Sequence, residues 1–244
     1  MMPRNVQLAG QTLLVIGGSS GIGLETARRA HAEGAAVIIT GRDPERVQRS
    51  GLEVEGSIAA LDAADFDRLA RFFDALRTPI DHVLVTGHVP SEVALAELDM
   101  DEARRDLEAH LLLPLQVARR TAKTVRPGGT LLFTGCIAGG HSIAEGAFIS
   151  AITAALSVMT KSLASELAPI RVNMLAAGFV DTAGSAAMLG DHLRARREQL
   201  ETTLPIRRIV GPGDVAALAV HLMTNTAVTG STFVIDGGQQ VSAG

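Results

Sequence analysis

A cluster of glycines near the amino end of the chain is the segment best suited to hold a phosphate group. Residues Gly17–Gly23 read GGSSGIG, follow the apolar run Thr12–Ile16 and lead directly into a helical pattern. Glycine lets the backbone turn tightly and approach a pyrophosphate closely, and the amino end of the next helix attracts its charge. This order of elements predicts a dinucleotide-binding loop, with an ordinary glycine-rich turn as the alternative.

Arg42 follows the second predicted strand, where it could recognise a further phosphate. A planar guanidinium matches phosphate oxygens, so Arg42 favours the 2′-phosphate of NADP(H); a solvated loop arginine is the alternative. Asp43 precedes Pro44 and is interpreted as a helix N-cap. We therefore predict that NADP(H) is preferred over NAD(H).

Short apolar runs alternate with longer helical patterns along the whole chain, which is typical of β-α-β units. We predict a single-domain Rossmann-type fold, a doubly wound parallel sheet of about seven strands flanked by helices. The predicted strands are Thr12–Ile16, Val37–Thr40, Ser57–Leu61, His82–Thr86, Thr130–Thr134, Arg171–Ala176 and Ser231–Ile235. The predicted helices are Ile22–Glu33, Glu45–Arg49, Ala64–Leu76, Met100–Val125, Ala147–Leu167 and Val215–Met223.

Composition narrows the class of protein further. The 244 residues are 47% hydrophobic and carry a formal net charge of −4, so the basic excess of a nucleic-acid binder is missing. Because Cys136 is the single cysteine, an intramolecular disulfide is excluded. The sequence contains no run of 18 apolar residues, so no membrane span is predicted. We expect a cytoplasmic protein without a metal site that acts on a small molecule rather than on nucleic acid or membranes.

The glycine spacing, together with three later landmarks, resembles the short-chain dehydrogenase/reductase family. Gly17, Gly21 and Gly23 match its Thr-Gly-x-x-x-Gly-x-Gly pattern, with Ile16 in place of the threonine. Residues 171–173 (RVN), 178–182 (GFVDT) and 234–238 (VIDGG) are similar to its other landmarks, although Ala177 replaces a proline. The resemblance runs from about residue 10 to residue 240.

The resemblance implies which residues contact the cofactor. Asp62 after the third strand would bond the adenine amino group; a helix N-cap is the alternative role, and both could apply. The complete implied set is Gly17, Ser19, Ser20, Gly21, Ile22, Gly23, Arg42, Asp62, Ala63, Thr86, Gly87, Val180 and Thr182.

The resemblance breaks down at the catalytic tetrad. The family typically uses Asn, Ser, Tyr and Lys, in which tyrosine exchanges a proton with the substrate oxygen, but this chain has no tyrosine at all. The helix that ends near Leu167 resembles the one that follows the family's Tyr-x-x-x-Lys, which places the tyrosine and lysine positions on Ile149 and Thr153. Resemblance of residues 131–139 to the strand that ends in Ser-Ser places the serine position on Cys136, and resemblance of residues 110–115 to the Asn-Leu-x-Gly region places the asparagine position on His110. Isoleucine cannot carry a proton and threonine cannot replace an ammonium group, so the family's ordinary mechanism is not supported.

His110 and Cys136 are the catalytic candidates that remain. A cysteine beside a histidine can be an activated nucleophile, although a lone cysteine is more often a small buried hydrophobe. His88, His141 and Glu145 lie in nearby predicted loops.

The family also implies a lid and an oligomer. Residues Asp181–Leu200 correspond to a mobile substrate lid, with a surface helix as the alternative. Relatives pair the helices predicted at Met100–Val125 and Ala147–Leu167 between subunits, and both are rich in Ala and Leu, so we expect a homodimer or homotetramer.

Three functions stay open. The first is a divergent oxidoreductase that uses NADP(H) on an unknown small molecule, and the second is a non-catalytic NADP(H)-binding sensor or scaffold subunit. The third is a lyase or isomerase that reuses the same pocket through Cys136 or His110.

Overall fold

Seven parallel strands form one sheet in the order β3-β2-β1-β4-β5-β6-β7. The order reverses between β1 and β4, where the carboxyl ends of the strands diverge and ligands bind in sheets of this type. The computed structural model describes residues 7–87, 93–137 and 146–242. The strands are β1 Thr12–Ile16, β2 Ala36–Gly41, β3 Ser57–Ala60, β4 Ile80–Val85, β5 Val125–Cys136, β6 Arg171–Ala177 and β7 Thr232–Ile235.

Helices cover both faces of the sheet, so the predicted doubly wound α/β fold is confirmed. They are α1 Gly21–Ala32, α2 Pro44–Glu53, α3 Phe66–Ala75, α4 Met100–Leu107, α5 Leu113–Thr124, α6 Ala147–Glu166, α7 Ala183–Leu189, α8 Leu193–Thr203, α9 Pro212–Thr224 and α10 Gln239–Ser242.

The continuous helix predicted over Met100–Val125 is wrong. A π-helical turn, Glu108–Leu112, separates α4 from α5. Pro114 lies in the first turn of α5 and has no N–H to continue the α-helical ladder, which accounts for the change of winding at this point. Val125 belongs to β5 and pairs with Ile80 of β4.

Two apolar clusters, one on each face of the sheet, form the core. Helix α6 has the length and apolar composition of a membrane-spanning helix. However, its side chains Ile149, Ile152, Leu156 and Leu163 are buried within the protein and the helix packs against β6, as in the core of a globular domain.

Buried polar side chains tie the amino-terminal half of the sheet together. The Nδ1 of His82 lies 2.7 Å from the Oγ1 of Thr130, and its Nε2 lies 2.5 Å from the Oε1 of Gln11. The neighbouring Asp81 accepts a 2.8 Å hydrogen bond from the N–H of Thr12 and forms a salt bridge with Arg126. These contacts join β1, β4 and β5 at the end of the sheet opposite to the glycine loop.

Candidate cofactor-binding site

The glycine loop joins β1 to α1 with two residues in the left-handed region, Gly17 (φ 84°) and Gly21 (φ 52°). The third glycine has a packing role: a Cβ at Gly23 would lie 2.5 Å from the carbonyl oxygen of Gly17 and 3.0 Å from the Cα of Gly18. A residue larger than glycine therefore cannot be accommodated at position 23 unless the backbone moves. The loop is a narrow cradle of bare backbone at the amino end of α1, as pyrophosphate binding requires.

Thr86, directly after β4, holds this cradle in place. Its hydroxyl donates to the carbonyl oxygens of Gly17 (2.9 Å) and Ile16 (3.2 Å), and its N–H donates to that of Ile16 (2.9 Å). A Cβ at Gly17 would lie 2.5 Å from the carbonyl oxygen of Thr86, so the two segments are in direct contact. Gly87 follows Thr86 at the same edge of the sheet.

Ser19, Ser20 and Ile22 complete the loop. Ser20 occupies the N-cap position of α1, but its side chain makes no capping hydrogen bond within the described chain. The carbonyl oxygen of Ser19 accepts a 3.1 Å hydrogen bond from the Oγ of Ser50 in α2. The first turn of α1 contains no acidic residue that would repel a phosphate.

The end of β2 brings Arg42 to the same edge. Gly41 packs on the Ser19 side chain, since a Cβ at Gly41 would lie 2.6 Å from the Oγ of Ser19. Arg42 is exposed, and within the described residues its guanidinium makes neither a hydrogen bond nor a salt bridge. Asp43 is the N-cap of α2, as predicted, and accepts hydrogen bonds from the N–H groups of Glu45 and Arg46. The carboxylate is thus committed to the helix, whereas the guanidinium is available.

The N-cap role proposed for Asp62 is wrong. Asp65 is the N-cap of α3 and accepts from the N–H of Arg68 at 2.9 Å. The exposed Asp62 instead accepts a 3.1 Å hydrogen bond from the N–H of Ala64, because a residue three positions before the N-cap cannot reach the first free amides of the helix. Asp62 and Ala63 directly follow Leu61 at the carboxyl end of β3, on the adenine side implied by the resemblance.

Thr182 lies next to Gly21 of the glycine loop. A Cβ at Gly21 would lie 3.4 Å from the Cγ2 of Thr182. Thr182 is the N-cap of α7, in a capping box with Ser185. Val180 is buried and pairs with Val210 in a single β-bridge. The structure therefore brings residues from the first and last thirds of the chain to one cleft.

A small pocket lies at the carboxyl ends of β4 and β5 and is lined in part by His110. The π-helical turn positions this histidine, which is only 7% exposed. Thr86, Gly87 and Thr134 contribute the polar part of the wall, and the Oγ1 of Thr134 donates to the carbonyl oxygen of Val85 at 3.2 Å. The remaining lining residues are Val85, Ala109, Pro114, Phe133 and Leu156. Sequence reasoning identifies His110 as a candidate but misses Thr134. The position of Thr134 near the carboxyl end of a predicted strand is the signal that could have indicated it.

The other three tetrad positions do not recreate a proton-transfer site. Ile149 and Thr153 are 3% and 5% exposed in α6 and belong to its buried face. Cys136 is half-buried at the end of β5 and pairs in register with Ala177. Cys136 is not among the described residues that line the pocket of His110. His88, His141 and Glu145 lie outside the described residues.

The predicted lid consists of α7, a short 3₁₀ turn at Gly190–His192 and α8. The guanidinium of Arg197 donates to Asp181 at 2.7 Å, which ties α8 to the start of the segment, and Leu200 anchors its end in the protein interior. Met188 is exposed.

Comparisons with known proteins agree with this architecture. Residues 16–240 match the profile of a family described as enoyl-(acyl carrier protein) reductase. Pig dehydrogenase/reductase SDR family member 4 is 32% identical over 96% of this chain and 89% of its own length. The crystal structure of BdcA in complex with NADPH has a TM-score of 0.84 and 27% identity, over 95% of each chain. MalC reductase/Diels-Alderase from Malbranchea aurantiaca has a TM-score of 0.89 over 97% of this chain and 99% of its own; at 21% identity it supports the fold alone.

Proposed function

The chain belongs to the short-chain dehydrogenase/reductase family, and we propose that it is an NADP(H)-binding oxidoreductase acting on a small molecule without the usual tyrosine–lysine pair. The observation that carries this proposal is the cradle formed by Gly17, Gly23 and Thr86, in which an added Cβ at either glycine would meet backbone at 2.5 Å. A turn without a ligand has no need of such bare backbone beside a helix amino end.

The preference for NADP(H) rests on Arg42. Its guanidinium is exposed beside the loop and uncommitted within the described structure, while the neighbouring carboxylate of Asp43 is engaged by α2. A 2′-phosphate would accept two hydrogen bonds from such a group, whereas a 2′-hydroxyl offers no charge to it. The NADPH complex of BdcA supports the same choice of cofactor.

The reaction follows from the residues that are present. When bound at the glycine loop, NADPH would supply the hydride for reduction of an electrophilic carbon of the substrate. The proton that balances it must come from water, from the substrate or from His110, because Ile149 has no ionisable group. The His110 pocket lies at the carboxyl ends of β4 and β5, and the hydroxyls of Thr86 and Thr134 line the same wall.

NADPH fluorescence offers a direct test, because the reduced nicotinamide absorbs and emits at longer wavelengths than protein side chains. Enhanced NADPH emission on adding protein, followed by loss of its absorbance with a member of a ketone, aldehyde and enone panel, supports the oxidoreductase. NADPH binding without turnover of any compound in the panel would contradict the oxidoreductase activity but would still support the cofactor-binding site.

A non-catalytic NADP(H)-binding subunit is the second candidate, and the burial of Ile149 and Thr153 favours it. Both side chains are part of the core of α6 rather than of an open reaction site. Tight NADPH binding together with a protein that co-purifies in a fixed ratio would distinguish this function.

The third candidate is a lyase or isomerase, and it has less support because Cys136 is not among the described residues that line the His110 pocket. Turnover without any change in NADPH absorbance, abolished by Cys136→Ala, would establish it. Turnover that survives Cys136→Ala excludes the cysteine as nucleophile.

A further inference from the structure

Two neighbouring glutamines in α10 form hydrogen bonds with residues that follow two different strands. The Oε1 of Gln239 accepts a 3.0 Å hydrogen bond from the N–H of Phe179, two residues after β6. The Nε2 of Gln240 donates a 3.2 Å hydrogen bond to the carbonyl oxygen of Ile137, the residue after β5. One short helix near the carboxyl end of the chain therefore ties both segments together.

The helix is itself fixed to the sheet. Asp236, which is buried, accepts hydrogen bonds from the N–H of Gly238 (2.8 Å) and from the N–H of Gln240 (2.9 Å). Gly178 packs so closely that a Cβ there would lie 2.7 Å from the Cβ of Asp236 and 2.8 Å from the Oε1 of Gln239. The two side-chain amides thus start from a defined backbone and have little freedom to reorient.

We propose that Gln239 and Gln240 are positioning residues for the nicotinamide half of the cofactor, an inference that rests on the proposed NADP(H) binding. Phe179 directly precedes Val180, and Ile137 directly follows Cys136, at the carboxyl ends of β6 and β5, which lie on the other side of β1 from β2 and β3. In the proposed binding mode this side of the sheet would receive the nicotinamide half. The adenosine side is built by other elements, namely β2, β3 and α1. Loss of either glutamine contact should therefore affect one half of the cofactor only.

The two contacts have opposite polarity, which separates hydrogen bonding from packing. Gln239 acts as an acceptor, so Gln239→Glu keeps the contact with Phe179. Gln240 acts as a donor, so Gln240→Glu sets a carboxylate against the carbonyl oxygen of Ile137. The same glutamine-to-glutamate substitution is thus expected to be tolerated at position 239 and to be harmful at position 240.

The experiment compares NADPH with 2′-phospho-ADP-ribose, which has the same adenosine half but no nicotinamide. Gln239→Ala and Gln240→Glu should weaken NADPH about tenfold, the effect of losing one fixed polar contact, and leave 2′-phospho-ADP-ribose within about twofold. Gln239→Glu should bind NADPH within about threefold of wild type. Gln116→Glu on α5 is the matched control for an added carboxylate and should change neither Kd.

Hydrogen exchange of the cofactor-free protein provides a readout that does not depend on the proposed function. Gln239→Ala should speed exchange in the peptide containing Phe179, and Gln239→Glu should restore its protection. Equal weakening of both ligands, unchanged NADPH binding by Gln240→Glu, or unaltered exchange at Phe179 overturns the inference. Wild-type protein that binds neither ligand refutes the proposed function and with it this role of the glutamines.

Discussion

Gly23 packs directly on Gly17, so that a Cβ at Gly23 would lie 2.5 Å from the carbonyl oxygen of Gly17. Two glycines six residues apart thereby set the width of the loop between β1 and α1. The hydroxyl of Thr86 bonds the same carbonyl oxygen from β4. Loop, helix and neighbouring strand form one unit, and disturbance of this contact should alter the cofactor site as a whole.

Gly23→Ala tests this unit. The new methyl group must displace backbone, so we expect a loss of about 1–3 kcal/mol in stability and at least about tenfold weaker NADPH binding. Thermal unfolding and NADPH titration measure the two effects. Gly213→Ala in α9 is the matched control, because the added Cβ would meet no atom within 4 Å among the described residues outside the backbone of its own helix. A Gly23→Ala protein that binds NADPH as wild type does would show that the loop does not hold the cofactor.

Arg42→Ala tests the choice between the two nicotinamide cofactors. Loss of a charge-assisted contact worth about 1.5–3 kcal/mol should weaken NADPH by about 10- to 150-fold and leave NADH nearly unchanged. Arg119→Ala on α5 serves as the arginine control. Equal weakening of both cofactors would show that Arg42 does not contact the 2′-phosphate.

The buried His82 should make stability depend on pH. Burial lowers the pKa of His82 from 6.5 to about 4, although the charge of Asp81 opposes the shift. The folded protein keeps this imidazole neutral while the unfolded chain protonates it below pH 6.5, so its contribution is complete above pH 6.5 and is lost as the pH falls toward 4. The difference amounts to about 3 kcal/mol.

Urea unfolding of wild type and His82→Gln between pH 7 and pH 4 measures this contribution. The variant should show a smaller loss of unfolding free energy over that range. The exposed His192→Gln is the control and should lose stability as wild type does. Parallel curves for wild type and His82→Gln would rule out the histidine as the source of the pH dependence.

Exposed apolar side chains on the π-helical turn, α5 and α6 are proposed to pair two copies of the chain. Leu112, Leu115 and Val158 are exposed in the single chain. Leu115→Arg should place two charges in an apolar contact and shift the protein to a smaller species in light scattering. Leu52→Arg on α2 is the control, and a wild-type protein that is already monomeric at micromolar concentration would refute the pairing.

Most of the fold and the glycine cradle could be predicted from the sequence, because both depend on local patterns. Alternating apolar runs mark strands buried on both faces, and glycines mark close backbone contacts. The sequence did not predict the π-helical turn, because a proline in the first turn of a helix, as Pro114 is in α5, does not by itself indicate a change of winding. It also missed the Gln239 and Gln240 contacts, since each joins residues at least 60 positions apart and polar side chains near a chain end have no distinctive spacing.

Calorimetric titration of the wild-type protein with NADPH and with NADH tests the central claim most directly. We predict saturable NADPH binding at one site per chain, with NADH at least about tenfold weaker. Binding of neither cofactor would contradict the account, because the glycine loop would then have this shape without binding the ligand that we propose for it.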